Sequence, residues 1–172
     1  GDRFDAKFHR SLEQDDDGSF YAGTALLHDP DHMMEAPGGK LLRYEPASGR
    51  YTLLDIPVPH HYVQSINLDR RRRAIYGATF PAEILFRYDM ATGKSRQIAY
   101  IGAGFVMGQA EKMALDAGGR LWGTWAEIRA WEGGPGPNCI RLFCYDPDTD
   151  AMQWLGHGLP KAGAGDRGTI DT

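Results

Sequence analysis

His60, His61 and Tyr62 stand side by side, two imidazoles and a phenol in three residues, and are the first candidates for chemistry in the 172 residues. A neutral imidazole can take a proton and a phenol can return one. Together they suit β-elimination beside a uronate carboxylate, with His61 or His9 as base and Tyr62 as acid. That reaction also needs a cation or amide to neutralise the carboxylate and steady an enolate-like intermediate. The polar residues available for substrate binding are Lys7, Arg10, Gln64, Glu111 and Lys112, with His60 beside the base and Trp131 as a ring on which a sugar could stack. No cofactor is required for this chemistry. A second constellation, "HDPDH" at residues 28–32, sets His28 and His32 beside two carboxylates, a donor set that suits a divalent ion such as zinc or manganese. The same loop could equally display its polar groups to water. Trp125 and Phe105 join Trp131 as further stacking rings, although Trp125 also suits packing between sheets.

The elements that position these residues come from a repeat. "SFYAGTALL…GKLLRYEPASGRYTLL", "AIYGATFPAEILFRYDMATGKSRQI" and "RLWGTWAEI…IRLFCYDPDTDAMQWLG" are three copies of one unit. Tyr21, Tyr76 and Trp122 are equivalent, as are Tyr44, Tyr88 and Tyr145, which gives a period of about 50 residues. Alternation and turn residues predict strands at 7–13, 19–26, 39–44 and 51–57, then 62–68, 74–79, 83–88 and 95–101, then 111–115, 120–125, 139–145 and 151–156. Four antiparallel strands per repeat of this length is the pattern of a β-propeller blade. A sandwich or single barrel explains the strand number but not the recurrence of Y-[DE]-x-x-[ST]-[GD] in every unit. The expectation is an all-β propeller with blades at about 3–58, 59–102 and 103–160, and 161–172 starting a fourth. Propellers close with roughly four to eight blades, so these three would belong to a larger ring.

The repeat also sorts the loops into two rims. Short polar turns, "QDDDG", "DRRRR", "DAGG", "PASG", "MATG" and "PDTD", fall on one. The long loops carrying His28, His32, His60, His61 and Trp131 fall on the other, where binding groups on a rigid scaffold usually sit. By this sorting the arginine run 70–73 is a solvated turn. Counting back from the aromatic step puts His9, Gln64 and Glu111 at equivalent points of the three inner strands.

The net charge of −4 gives no electrostatic reason to expect nucleic acid or an anionic membrane as a partner. No apolar run reaches the roughly 18 residues that span a bilayer. Cys139 and Cys144 flank one predicted strand at an odd spacing that points them to opposite faces, so a disulfide between them is not expected. The chain opens on Gly-Asp-Arg without Met. An upstream targeting segment, and with it export to the periplasm or the exterior, is therefore left open.

The step "D…G-x-L-[YW]-G-T" followed by "L-F-x-Y-D-x-x-T-G" resembles the blades of bacterial seven-bladed propellers. These include streptogramin-lyase and gluconolactonase-like proteins and the polysaccharide lyases of the ulvan and rhamnogalacturonan types. The resemblance spans residues 3 to 170 and implies a propeller fold, with an acidic polysaccharide or oligosaccharide and the remaining blades as partners. It leaves three activities open: lyase, lactonase-like metal hydrolase, and non-catalytic binding of a glycan or protein.

Overall fold

The structure, a computed structural model, describes residues 3–25, 30–102, 112–127 and 139–155. Their strands are β1 (Lys7–Gln14), β2 (Phe20–Ala25), β3 (Leu41–Glu45), β4 (Arg50–Asp55), β5 (Tyr62–Asp69), β6 (Ala74–Phe80), β7 (Glu83–Asp89), β8 (Lys94–Gly102), β9 (Ala114–Leu115), β10 (Leu121–Glu127), β11 (Cys139–Asp146) and β12 (Ala151–Trp154). Each lies on one of the predicted segments, with ends that move by a few residues. A short 3-10 turn over Pro30–Glu35 is the one helical element among the described residues. No described helix is long and apolar enough to cross a membrane.

Consecutive strands pair antiparallel and make four-stranded meanders, β1–β4, β5–β8 and β9–β12, which are the blades of a β-propeller. The chain divides into two compact units, Gly1–Tyr100 and Ile101–Thr172. Within the first, the inner strands β1 and β5 run parallel and share one bridge, Arg10 to Ser65, which joins the two predicted sheets into one of eight strands. The second unit carries the four-stranded sheet in the order β12-β11-β10-β9.

Period-two alternation gives each blade two faces, and the register shows which residues share one. Leu12, Ala22, Leu42 and Leu53 form a row straight across β1 to β4. Tyr21 and Arg43 lie on the opposite face. The equivalent rows of the second blade are Ile66, Gly77 and Phe86, and Asn67, Tyr76 and Arg87. Between the first two blades, Tyr21 and Leu41 meet Ile66, Leu68, Phe86 and Tyr88, with Val58 and Val63 closing the cluster. All of these are buried. Fully burying a side chain of this size contributes about 1.5–3 kcal/mol, so this cluster is the main cohesive element of the first unit. The Phe86 ring lies where a Cβ on Gly77 would be, and the Phe143 ring does the same to Gly123 in the third blade. The glycine of the Y-G and W-G steps is thus a slot for the aromatic side chain of the next strand.

The recurrent Y-[DE]-x-x-[ST]-[GD] motif is explained by its turn. Asp89 Oδ1 accepts hydrogen bonds from the Ala91 and Thr92 backbone N–H groups at 3.0 and 2.9 Å, and Asp146 Oδ1 accepts from Asp148 N at 2.9 Å. The last position has positive φ in every copy, at Gly49, Gly93 and Asp150. Asp150 tolerates it while accepting a hydrogen bond from the Tyr145 hydroxyl at 2.7 Å. On the same rim the arginine run is more than a solvated turn. Arg73 Nη1 reaches Asp15 Oδ2 at 2.7 Å, Arg70 Nε reaches Asp16 Oδ1 at 3.1 Å, and Arg72 pairs with Asp69 at 2.9 Å. Two of its four side chains therefore tie the second blade to the acidic turn of the first. Cys144 is a free, buried thiol, and burial pushes its pKa up.

These carboxylates share an electrostatic signature. Burial alone would raise the Asp15 carboxyl, but the Arg73 hydrogen bond and the Asp16 N–H outweigh it and hold it below the usual range. Ser19 does the same to Asp17, Arg50 to Glu45, and the Thr92 backbone to Asp89. Asp116 is held at about 2, first by the Trp122 indole and then by the Arg120 N–H. A carboxyl depressed on folding stabilises the fold above its unfolded pKa, and that contribution is lost as pH falls through the folded value. Thermal melts should therefore show stability declining from about pH 4 toward pH 2, the interval between ordinary carboxyl values and that of Asp116. Asp15→Asn should weaken this dependence. A second expectation concerns packing: Gly77→Ala should cost ~1–3 kcal/mol in urea denaturation, because the added methyl displaces the Phe86 ring.

Candidate functional site

Both inner strands of the first unit are irregular where the sequence places polar residues. In β1 the register shifts between Phe8 and Leu12, so His9, Arg10 and Ser11 bulge from the ladder. In β5 it shifts between Val63 and Ser65, which leaves Gln64 as the extra residue. Bulges re-aim side chains and often border working sites. Ser11 fixes the first bulge, its hydroxyl donating to Gly23 O at 2.6 Å. Lys7 and Arg10 are exposed, His9 is half-buried, and Gln64 is 1% exposed. His9 Nδ1 is buried with no hydrogen-bond partner among the described residues. The parallel bridge from Arg10 to Ser65 puts His9 and Gln64 one residue before it on neighbouring strands. The two are thus brought side by side along the inner edge, as their equivalence in the repeat implies.

The connection from β4 to β5 carries His60 and His61. His60 adopts a φ of 63°, and its Nδ1 lies 2.8 Å from Ala36 O. His61 Nδ1 lies 2.8 Å from Pro59 O. A carbonyl only accepts, so Nδ1 must carry the proton in both rings, and in the neutral imidazole Nε2 keeps its lone pair. Backbone bonds complete the attachment: His60 N to Pro37 O at 3.1 Å and Gly39 N to His61 O at 2.7 Å. Any side chain at Gly39 would collide with Thr24 O and the Tyr62 backbone, so the Gly-Gly step is a close crossing of two chains. The His60 side chain is thus a latch between the blades, whereas the His61 side chain bonds only its own loop, at Pro59 O.

Tyr62 is 7% exposed and packs its ring against Phe80 at 5.2 Å, in a cluster with Ala25, Ala36 and Phe4. This placement makes it a support for the rim. Beneath the same rim lies a half-buried ion pair that sequence reasoning missed. Lys40 Nζ meets Asp5 Oδ2 at 2.8 Å, Thr24 Oγ1 donates to Asp5 Oδ1 at 2.9 Å, and Lys40 N donates to Thr24 Oγ1 at 2.8 Å. The partners are 35 residues apart, and no local pattern marks them.

His32 sits in the 3-10 turn and bonds Glu35 at 2.8 Å, and Glu35 also receives Arg3 at 2.6 Å. The His32 bond leads in drawing the Glu35 carboxyl down. No group of three His, Cys, Asp or Glu residues placed to hold a metal ion occurs among the described residues. His28, Glu111, Trp131 and Phe105 lie outside the described residues. Lys112 is exposed in the second unit. Trp125 donates its indole N–H to Leu142 O at 3.2 Å and meets Trp154 edge-on at 5.2 Å, which is a packing role.

No protein-family model matches the sequence, and no curated protein matches it. Solved structures do. The chain is similar to TolB from Acinetobacter baumannii, with a TM-score of 0.54 and 10% identity over 89% of this chain and 33% of that one. It is similar to the extracellular domain of BT4673, proposed to be a one-component system, from B. thetaiotaomicron, with a TM-score of 0.53 and 23% identity over 88% of this chain and 17% of that one. A puromycin-hydrolyzing peptidase from Mycobacterium tuberculosis gives a TM-score of 0.52 and 16% identity over 88% and 22%. The fold is a β-propeller, and the chain spans between 17% and 33% of the length of these proteins.

The two histidines should separate in a stability measurement. His60→Ala loses the bond to Ala36 O, so urea denaturation should show a loss of ~1–2 kcal/mol. His60→Asn, which tolerates the positive φ at this position, should recover part of it. His61→Ala should leave the transition unchanged.

Proposed function

We propose that this stretch of propeller recognises an acidic oligosaccharide or polysaccharide on its long-loop rim, and that His61 is the central recognition residue. The observation that carries this reading is the hold on His61: its Nδ1 lies 2.8 Å from Pro59 O, which leaves Nε2 as its remaining functional atom. Exposed Lys7 and Arg10 on the inner strand supply cations for carboxylates, whereas Gln64, 1% exposed, is too buried to offer its amide to a ligand. The burial of Tyr62 favours binding over catalysis, since a general acid must reach the glycosidic oxygen. The ring itself is proposed to continue through further blades, seven being the number the resemblance implies. Leu12 and Leu53, on the face of the first blade away from the second, are 58% and 55% exposed, whereas Ile66 at the place of Leu12 is 0% exposed.

A second reading, uronate β-elimination, is favoured by the same lone pair: Nε2 of His61, or His9, would remove the proton beside the carboxylate. The two readings predict opposite responses to acid. An imidazole that takes up a second proton gains attraction for a polyanion but loses the lone pair of a base.

Calorimetric titration of the full-length protein with oligogalacturonate and a neutral oligosaccharide of equal length tests both. The expected result is preference for the acidic chain, strengthening as pH falls, and at least about tenfold weaker binding in His61→Ala and Arg10→Gln. Unaltered affinity in both variants would sink the proposal. Ultraviolet absorbance of an unsaturated product, lost on acidification, would establish the lyase reading, and loss on chelation would bring in a divalent ion.

A further inference from the structure

The short-turn rim of the second blade holds a cleft of about 370 Å³ lined by Arg87, Asp89, Thr92, Lys94, Ser95 and Arg96. Three of these side chains are cationic and one is anionic. The carboxylate is already engaged: Asp89 Oδ1 accepts the Ala91 and Thr92 N–H groups and the Thr92 hydroxyl, and its Oδ2 lies 3.5 Å from Arg87 Nη2. Asp55 approaches from the first blade, but its Oδ2 is taken by Ser95 N at 2.9 Å and its Oδ1 by Ile56 N. Two donor groups in the cleft wall, Arg87 Nε and the Ser95 hydroxyl, are buried with no hydrogen-bond partner among the described residues. A buried polar atom left unsatisfied costs about 1–3 kcal/mol, which is relieved if its side chain turns toward an acceptor in the cleft.

Arg43 Nε of the first blade is likewise buried with no hydrogen-bond partner among the described residues, so the second blade departs from the repeat in the charges around its arginine. Register makes Arg43 the counterpart of Arg87, since they pair with the equivalent residues Tyr21 and Tyr76. Arg43 is neutralised by Asp17 at 2.8 Å and Glu45 at 3.4 Å. In the second blade the turn that would supply the equivalent of Asp17 is the arginine run, whose Asp69 is taken by Arg72. Thr52, which pairs with Arg43 on β4, has no charge where the second blade carries Arg96 in the outer strand of the cleft. Cations outnumber the one carboxylate in the cleft lining, and that carboxylate is already bonded, so this chemistry fits an acceptor-only ligand.

We propose that this cleft binds a tetrahedral oxyanion, the phosphate or sulfate of an esterified ligand, with Arg87 as a forked donor, Ser95 giving its hydroxyl and Lys94 as the point charge. The site lies on the opposite rim from the histidines, and its existence does not depend on their role.

Titration of the intact protein with inorganic phosphate and inorganic sulfate at constant ionic strength, followed by amide NMR or calorimetry, tests it. Saturable binding by at least one anion is expected, with shifts centred on residues 87–96. Arg87→Gln should weaken it by about tenfold or more, and so should Lys94→Gln, an exposed change that leaves the fold intact. Glycerol phosphate against glucose sulfate then decides the ester. Sodium chloride producing the same response, or variants titrating like the parent protein, would overturn the proposal.

Discussion

A four-stranded sheet has two faces, and water is kept from an apolar one by a layer packed on it, which in this unit is another sheet. The whole first unit follows from that constraint. The row Ile66, Gly77 and Phe86 of the second blade is covered by Tyr21 and Leu41 of the first. Gly77 lacks a side chain so that Phe86 can lie flat in the interface rather than stand away from it. The polar groups follow the same division. Arg73 and Arg70 pin the blades at one rim through Asp15 and Asp16, and His60 pins them at the other through Ala36. Each pin prevents the sheets from sliding along an apolar contact that has no directional preference of its own.

This arrangement explains why the rims can specialise. With cohesion located in the mid-blade cluster and in two pins, the inner-strand bulges at residues 9–11 and 64 can sacrifice ladder bonds without loosening the blade. The repeat then permits local departures. A positive φ at a non-glycine residue, His60, and an excess of arginine at one turn are tolerated because neighbouring carbonyls and carboxylates answer them.

The strands were legible because turn chemistry is local. Asp89 and Asp146 cap residues two or three positions on, so their motif is readable as a string, and Tyr21, Tyr76 and Trp122 mark the register. The resemblance noted from those motifs is carried by the same residues and speaks to fold. Long-range pairings were not legible. Arg73 meets Asp15 across 58 residues, and the run 70–73 read in isolation suggests only solvation. The site was legible in part: His60 and His61 could be singled out by type, but their different attachments depend on carbonyls of residues 36 and 59 that no side-chain pattern reveals. Tyr62 reads as a reactive phenol in sequence and is buried against Phe80, because alternation along β5 is suppressed where both faces are covered.

Comparison of the blades with one another then becomes informative in a way that a single blade is not. The first blade sets Arg43 between two carboxylates, and the third places buried Cys144 at the same point of the ladder, opposite Trp122. A neutralised cation and a neutral thiol are both satisfactory ways to fill that position without a ligand. The second blade uses neither, keeping the cation with a single carboxylate 3.5 Å away. Since the surrounding scaffold is the same in the first two blades, the fold does not require this arrangement. A cation retained at a position that the repeat can neutralise is best explained by something outside the blade that completes it.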